Sequence, residues 1–254
     1  MQVMLRVAAQ RLPRLYEAMP PLLETAGADA WRYWRPGTDG IVELGALRGG
    51  APGLATHVHE TVQVTLVLAG RRTLVVGGDE IELAAGRCLC IPAGVPHASR
   101  AEPPDVVGLI AFVSPGVYAL ADVAADIERA WDPHAPTSLA DLAGLIGRHR
   151  RDPIAGEVLS EILPDEPIAR LAARTGLSRE GFTRRFAKSR GMPPHAFRLA
   201  ARLDEARALL RAGTPVAAVA AETGFSDQSH FGRLFKRAFG VSPGKYRDGQ
   251  AAPF

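Results

Sequence analysis

Two stretches of the chain read alike. The first is Ile168-Ala-Arg-Leu-Ala-Ala-Arg-Thr-Gly176-Leu-Ser178, followed by Phe182-Thr-Arg-Arg-Phe186 and Gly191-Met-Pro-Pro194-His-Ala-Phe197-Arg198. The second is Val216-Ala-Ala-Val-Ala-Ala-Glu-Thr-Gly224-Phe-Ser226, followed by Phe231-Gly-Arg-Leu-Phe235 and Gly240-Val-Ser-Pro243-Gly-Lys-Tyr246-Arg247. Gly176 and Gly224 match at an offset of 48. Phe182, Arg184, Phe186, Gly191, Pro194 and Arg198 match their counterparts at 49, so the second copy carries one extra residue. Self-similarity of this kind marks a repeated supersecondary unit.

Each copy explains itself locally. Leu171, Ala172 and Thr175 follow helical spacing, as do Val219, Ala220 and Thr223. Gly176 and Gly224 fall where a left-handed residue ends a helix. Ser178 and Ser226 are placed to N-cap a second helix. Two short helices joined by a tight, Gly-containing turn make a helix-turn-helix, whose second helix enters the DNA major groove. An ordinary helical bundle would show the same apolar residues, but charge separates the two readings. Residues 176–247 hold 14 Lys/Arg against 5 Asp/Glu, a net of +9, whereas residues 1–150 hold 13 against 16, a net of −3. Only one half of the chain has the footprint of a polyanion binder.

The stretch between the copies also reads as a helix. Pro194 suits a first turn. Leu199, Leu203, Ala206 and Leu210 form an apolar stripe, with Arg198, Arg202, Arg207 and Arg211 expected away from it. Gly213 and Pro215 end it. Residues 194–212 span roughly 28 Å as a helix, close to the roughly 34 Å of one DNA turn. The expected role is a rigid spacer between two reading helices.

From Ala220 to Arg247 the chain resembles the signature run of the AraC/XylS family of bacterial transcription regulators. The resemblance covers about residues 153–247 and implies a seven-helix DNA-binding domain, with recognition helices near 178–189 and 227–238. It places base-reading positions on Glu180, Thr183 and Arg184, and on Gln228, Ser229 and Arg233. Their chemistry fits: Arg grips guanine, Gln grips adenine and Glu accepts from cytosine. Lys188, Lys236 and Arg237 suit phosphates, which position without reading sequence. The first copy departs from its twin in being one residue shorter and in having Gly181 and two adjacent arginines.

The N-terminal part has another texture. Residues 1–26 are loosely helical in spacing (Leu5, Leu12, Leu15, Met19, Leu22) and carry no long apolar core, so they are not read as a signal peptide. No run of about 20 apolar residues occurs to span a membrane. From Trp31 onward, short β-branched runs at 61–68 and 72–76 and the Gly77-Gly78-Asp79 turn signal indicate an antiparallel barrel or sandwich. His57-Val-His59, Gln63 and Gly70, then Gly86, Pro92-Ala-Gly94 and His97, resemble the two motifs of the cupin superfamily, a small double-sheet barrel. Residues 57, 59 and 63 are expected on one strand face. The second motif has Ala101 where an Asn is usual. The first has Gln63 where metal-bearing cupins carry a Glu ligand.

Two readings of His57, His59, Gln63 and His97 stay open. They hold a divalent transition metal such as Zn, Ni or Fe, as imidazole suits, or they contact an effector or the core without metal. Cys88 and Cys90 share a strand face, too far apart for an easy disulfide, and are read as buried thiols, with a redox or soft-metal sensor as the rival. The absence of a disulfide framework suits a reducing, cytoplasmic compartment. Residues 114–151 read as helix, loop, helix (Ala119, Leu120, Val123, Ile127; then Leu139, Leu142, Leu145, Ile146). By resemblance, such helices are where two chains dimerise; otherwise they only pack on the barrel.

The expectation is an α+β multidomain chain: an antiparallel cupin-like sensor barrel (1–113), linker or dimerisation helices (114–152) and an all-α double helix-turn-helix domain (153–249). The expected function is a transcription regulator, not an enzyme, that binds double-stranded promoter DNA as a homodimer under a small-molecule effector, with RNA polymerase a partner if it activates. A metal-dependent cupin enzyme fused to a DNA-binding domain, and a metal- or redox-sensing regulator, are the alternatives.

Overall fold

The structure, a computed structural model, describes residues 30–37, 39–134, 137–150 and 166–250. The helical spacing noted in residues 1–26, and the start of the C-terminal domain at 153, lie outside these residues. The described chain opens with eight strands: β1 (Trp31–Trp34), β2 (Ile41–Arg48), β3 (Val62–Ala69), β4 (Arg71–Val76), β5 (Asp79–Ala84), β6 (Cys88–Ile91), β7 (His97–Ser99) and β8 (Val107–Val113). They form a five-stranded sheet in the order β1-β2-β8-β3-β6 and a three-stranded sheet β5-β4-β7, with antiparallel pairing throughout. Gly77 and Gly78, both at positive φ, turn β4 into β5, the conformation a tight hairpin demands.

Strand β8 shows how the layers are built. All seven residues are buried, which one covered face cannot explain, because side chains alternate. Val107, Leu109, Ala111 and Val113 join a core that includes α1 (Leu120–Ala130) and α2 (Leu139–Gly147). Ile110 and Phe112 join a different core, shared with the C-terminal helices. One face of the five-stranded sheet therefore carries α1 and α2, while the other meets the three-stranded sheet, through Val67 and Ile91 on Leu74 and Leu83, and the C-terminal helices. Ser138 and Asp141 close a capping box at the start of α2, and the apolar faces of α1 and α2 pack on the barrel.

The C-terminal part contributes six helices among the described residues: α3 (Ile168–Arg174), α4 (Arg179–Arg190), α5 (Pro194–Arg211), α6 (Val216–Glu222), α7 (Gln228–Phe239) and α8 (Pro243–Asp248). The resemblance implies seven helices over about 153–247, and residues 151–165 lie outside the described ones. Gly176, Gly191, Gly224 and Gly240 all adopt positive φ after a helix, as the repeat required.

Three expectations are corrected. Ser178 does cap α4, accepting from Gly181 N at 3.0 Å. In the second copy the cap is Asp227 instead of Ser226, and its carboxylate accepts from His230 N at 2.7 Å. The extra residue of that copy shifts the cap by one, and the Ser226 hydroxyl donates to Asp227 at 3.3 Å. Second, Arg207 does not lie on an exposed face; it is 1% exposed, because a carboxylate from the barrel meets it. Third, residues 57–63 are not one strand. His57 makes an isolated bridge with His97, and β3 begins only at Val62.

Candidate effector site and nucleic-acid interface

His57, His59 and His97 come together at the mouth of the barrel. Paired backbone hydrogen bonds between His57 and His97, at 2.9 and 3.0 Å, clamp the two motifs side by side. The three imidazoles are buried, and one nitrogen from each lies within 4.8 Å of the others. Gln63, at the start of β3, is buried beside them, its Oε1 3.3 Å from His59 Nε2.

The protons on these rings follow from their partners. His57 Nδ1 lies 2.9 Å from Ala55 O, His59 Nδ1 2.7 Å from Thr61 O and His97 Nδ1 2.9 Å from Val95 O. A carbonyl oxygen only accepts, so each Nδ1 carries the hydrogen. Burial, and for His57 and His59 the neighbouring His97, holds both well below the usual histidine pKa. Burial brings His97 down to about 4. The rings are therefore neutral, and their Nε2 atoms carry lone pairs. His59 Nε2 and His97 Nε2 face each other 3.2 Å apart with no proton to share.

This donor set fits a first-row divalent cation. Zn–N bonds of 2.0–2.1 Å in tetrahedral geometry separate ligand nitrogens by about 3.3–3.4 Å. Donation of Nδ1–H to a carbonyl is how metal-bound histidines are oriented. Gln63 supplies a neutral oxygen where a carboxylate would add charge. The adjoining cavity, lined by Trp31, Tyr33, Leu54, Phe112 and Phe239, is very small, about 10 Å³, room for about one water-sized occupant.

Polar groups missed in the sequence surround this site. Arg72 and Glu102, both buried, pair at 3.0 Å. On the C-terminal side Glu43 of β2 accepts from Arg207 of α5 and from the Tyr246 hydroxyl of α8. The Arg207 guanidinium lies 3.9 Å from the centre of the Phe112 ring. Nothing in the sequence pairs Glu43 with Arg207. A charged residue on the inward stripe of α5, between Leu203 and Leu210, was the one available sign.

The residues that the resemblance assigns to DNA contact lie on α4 and α7. Glu180, Arg184, Lys188, Gln228, Ser229, Arg233, Lys236 and Arg237 are exposed. Thr183 is half-buried, and its hydroxyl donates to Arg179 O at 2.8 Å. Phe231, Phe235, Ala238 and Phe239 form the buried side of α7. Both helices thus keep basic and polar faces outward. Cys88 and Cys90 are free thiols, and Cys90 Sγ donates to Leu120 O at 3.6 Å.

Comparison with known proteins agrees with this architecture. Residues 171–249 match the helix-turn-helix domain family and residues 44–111 the cupin domain family. The HTH-type transcriptional regulator MtrA of Neisseria gonorrhoeae is 36% identical over 114 residues, 42% of this chain and 37% of that protein. A putative AraC-like transcription regulator of Streptomyces antibioticus is 28% identical over 247 residues, 89% of this chain and 72% of that protein. The chain thus spans little more than a third of the length of MtrA. A Lys-to-Ala variant of apo ToxT from Vibrio cholerae strain SCE256 shares the fold, with a TM-score of 0.51 at 11% identity over 85% of this chain and 100% of that chain. An antiparallel barrel joined to a pair of helix-turn-helix units defines the class. The chain carries a helix-turn-helix domain of the AraC type, with a cupin domain ahead of it. Among the described residues, no helix is long and apolar enough to cross a membrane.

Proposed function

We propose that this protein is a promoter-binding transcription regulator whose DNA binding is set by an effector at the His57–His59–His97 cluster, with Gln63 as a further contact. α4 and α7 read double-stranded DNA, with base contacts from Glu180, Thr183, Arg184, Gln228, Ser229 and Arg233 and phosphate contacts from Lys188, Lys236 and Arg237. One observation carries the effector assignment: three neutral imidazoles commit their Nδ1–H groups to backbone carbonyls and turn their Nε2 lone pairs on one another. That arrangement supports a divalent transition metal as the occupant. The occupant shifts the protein between two arrangements only by its differential affinity for them. The apolar packing of α1 and α2 on the barrel leaves their outer faces for a second copy of the chain.

The test starts with selection of bound genomic fragments by the purified protein. Operator titrations with and without Zn, Ni or Fe(II) follow, alongside metal analysis. Wild type is expected to bind about one metal ion per chain and to change its operator affinity on loading. His59→Ala should lose both while keeping non-specific DNA affinity, which resides in the helices. Operator affinity that is identical in wild type and His59→Ala, with and without metal, would sink the assignment.

A further inference from the structure

The two helix-turn-helix units are attached to the barrel in unequal ways. The second is built into it. Phe231, Phe235, Phe239 and Tyr246 share one core with Trp31, Leu47 and Ile110 of the barrel. Barrel groups also finish its reading helix. The Tyr33 hydroxyl donates to Phe239 O at 3.0 Å and Ala55 N to Arg237 O at 2.8 Å. Both carbonyls belong to the last turn of α7, where a helix has no partners of its own.

The first unit has a much smaller attachment. None of the residues of α4 is buried. The core of this unit consists of Met192, Phe197 and Ala200, flanked by Phe186 and Ala196, and the barrel adds one residue to it, Val58. Val58 is 4% exposed and stands between His57 and His59, whose rings turn into the barrel. The segment is held on either side, by Ala55 N on Arg237 O and by Glu60 N on Asp204 Oδ2, each at 2.8 Å. One peptide unit in each direction separates Val58 from a candidate ligand.

We infer that an occupant of the histidine cluster acts on the first helix-turn-helix unit through Val58, while the second unit stays part of the barrel. The inference rests on the effector reading proposed above. An occupant that resets the spacing of His57 and His59 against His97 displaces the backbone between them, and Val58 moves with it. The unit with few buried side chains has the lower local stability and yields first. The second unit shares too large a core to follow. The effector thus changes how α4 is presented while α7 keeps its place, so regulation falls on one half of the DNA site.

Peptide-resolved hydrogen exchange on the full chain tests this, with Zn(II) alone as the probe and a chelated sample as reference. Zinc should change exchange in α4 and the first turns of α5 and leave α7 and α8 unchanged. Val58→Ala should bind zinc with the same stoichiometry and lose the response in α4. Val58→Thr, which keeps the shape and adds a hydroxyl, should weaken it. An equal zinc response in α7, or an intact α4 response in Val58→Ala, overturns the inference. If wild type binds no zinc, the effector reading is what fails, and metal-free samples decide the inference. Val58→Ala should then speed exchange across α4 by roughly ten-fold, as expected for two buried methyl groups, with His59→Ala acting in the same direction and α7 unaffected. Unchanged α4 exchange in both variants overturns it.

Discussion

Arg207, in the helix that joins the two reading units, places its guanidinium on the Glu43 carboxylate of strand β2, and both side chains are buried, at 1% and 0% exposure. The two residues lie 164 positions apart. Glu43 and the surrounding tyrosines hold Arg207 above its ordinary pKa despite the burial, so the guanidinium stays charged within an apolar interface. The Tyr246 hydroxyl and the Gln250 side-chain amide also donate to Glu43.

Removing one partner leaves a buried charge uncompensated. Glu43→Ala should therefore destabilise the folded chain by about 3–5 kcal/mol, while the paired change Glu43→Leu with Arg207→Met should recover much of that loss. Urea unfolding followed by the fluorescence of Trp31 and Trp34 reports it. A Glu43→Ala variant within about 0.5 kcal/mol of wild type would mean that the pair does not join the domains.

Gly191 and Gly240 are equivalent positions of the repeat with unequal surroundings. Both have positive φ, but a Cβ on Gly240 would lie 2.3 Å from the Trp31 ring, whereas one on Gly191 meets nothing closer than 3.6 Å. Gly191→Ala should cost about 1–2 kcal/mol, the left-handed penalty alone. Gly240→Ala should cost clearly more, since it must also displace a buried indole. Equal midpoints in thermal melts would contradict the close approach of Trp31 to the second unit.

The histidine cluster sets a pH dependence. The folded pKa of His97 is about 4, below the unfolded value of about 6.5, and those of His57 and His59 are also lowered. Between these values the unfolded chain binds more protons, so stability rises with pH over that window. It is fully present above about pH 6.5 and is lost as pH falls towards 4. Urea midpoints at pH 7, 6 and 5 should decline in that order for metal-free protein. His97→Gln should flatten the decline.

Arg233 and Lys236 share the exposed side of α7 and should behave differently on DNA. Arg233→Ala is expected to weaken operator binding by about 1–3 kcal/mol through a lost guanine contact. Lys236→Ala should weaken operator and random duplex alike and lower the salt slope by about one. Titrations of both variants against both duplexes, at several salt concentrations, separate the roles. Undiminished operator preference in Arg233→Ala removes that residue from the reading set.

Local patterns made much of this legible beforehand. The family resemblance placed α4 and α7 to within one residue, and the Gly turns of the repeat agree because they act over a few positions. The two cupin-like motifs brought His57, His59 and His97 to one point although the strand assumed for residues 57–63 does not exist; the His57–His97 bridge does that work. The docking of the two domains was not legible. The apolar stripe of α5 fixes which face is buried but not against what, so Arg207 read as one more exposed arginine. The cap at Asp227 was missed because two adjacent residues, Ser226 and Asp227, both carry capping chemistry and only the backbone path selects one.

The hydrogen bonds from Tyr33 and Ala55 to the end of α7 bear on how freely such regulators exchange parts. A sensor is often pictured as a cartridge that any DNA-reading module accepts. Here the last turn of the reading helix is finished by donors on the other side of the join, so a transplanted sensor inherits an unfilled obligation there. Hybrids that carry a hydroxyl and a free amide at these two places should keep the recipient's reading helix intact. Hybrids without them should lose protection at the end of that helix, however well each half folds alone.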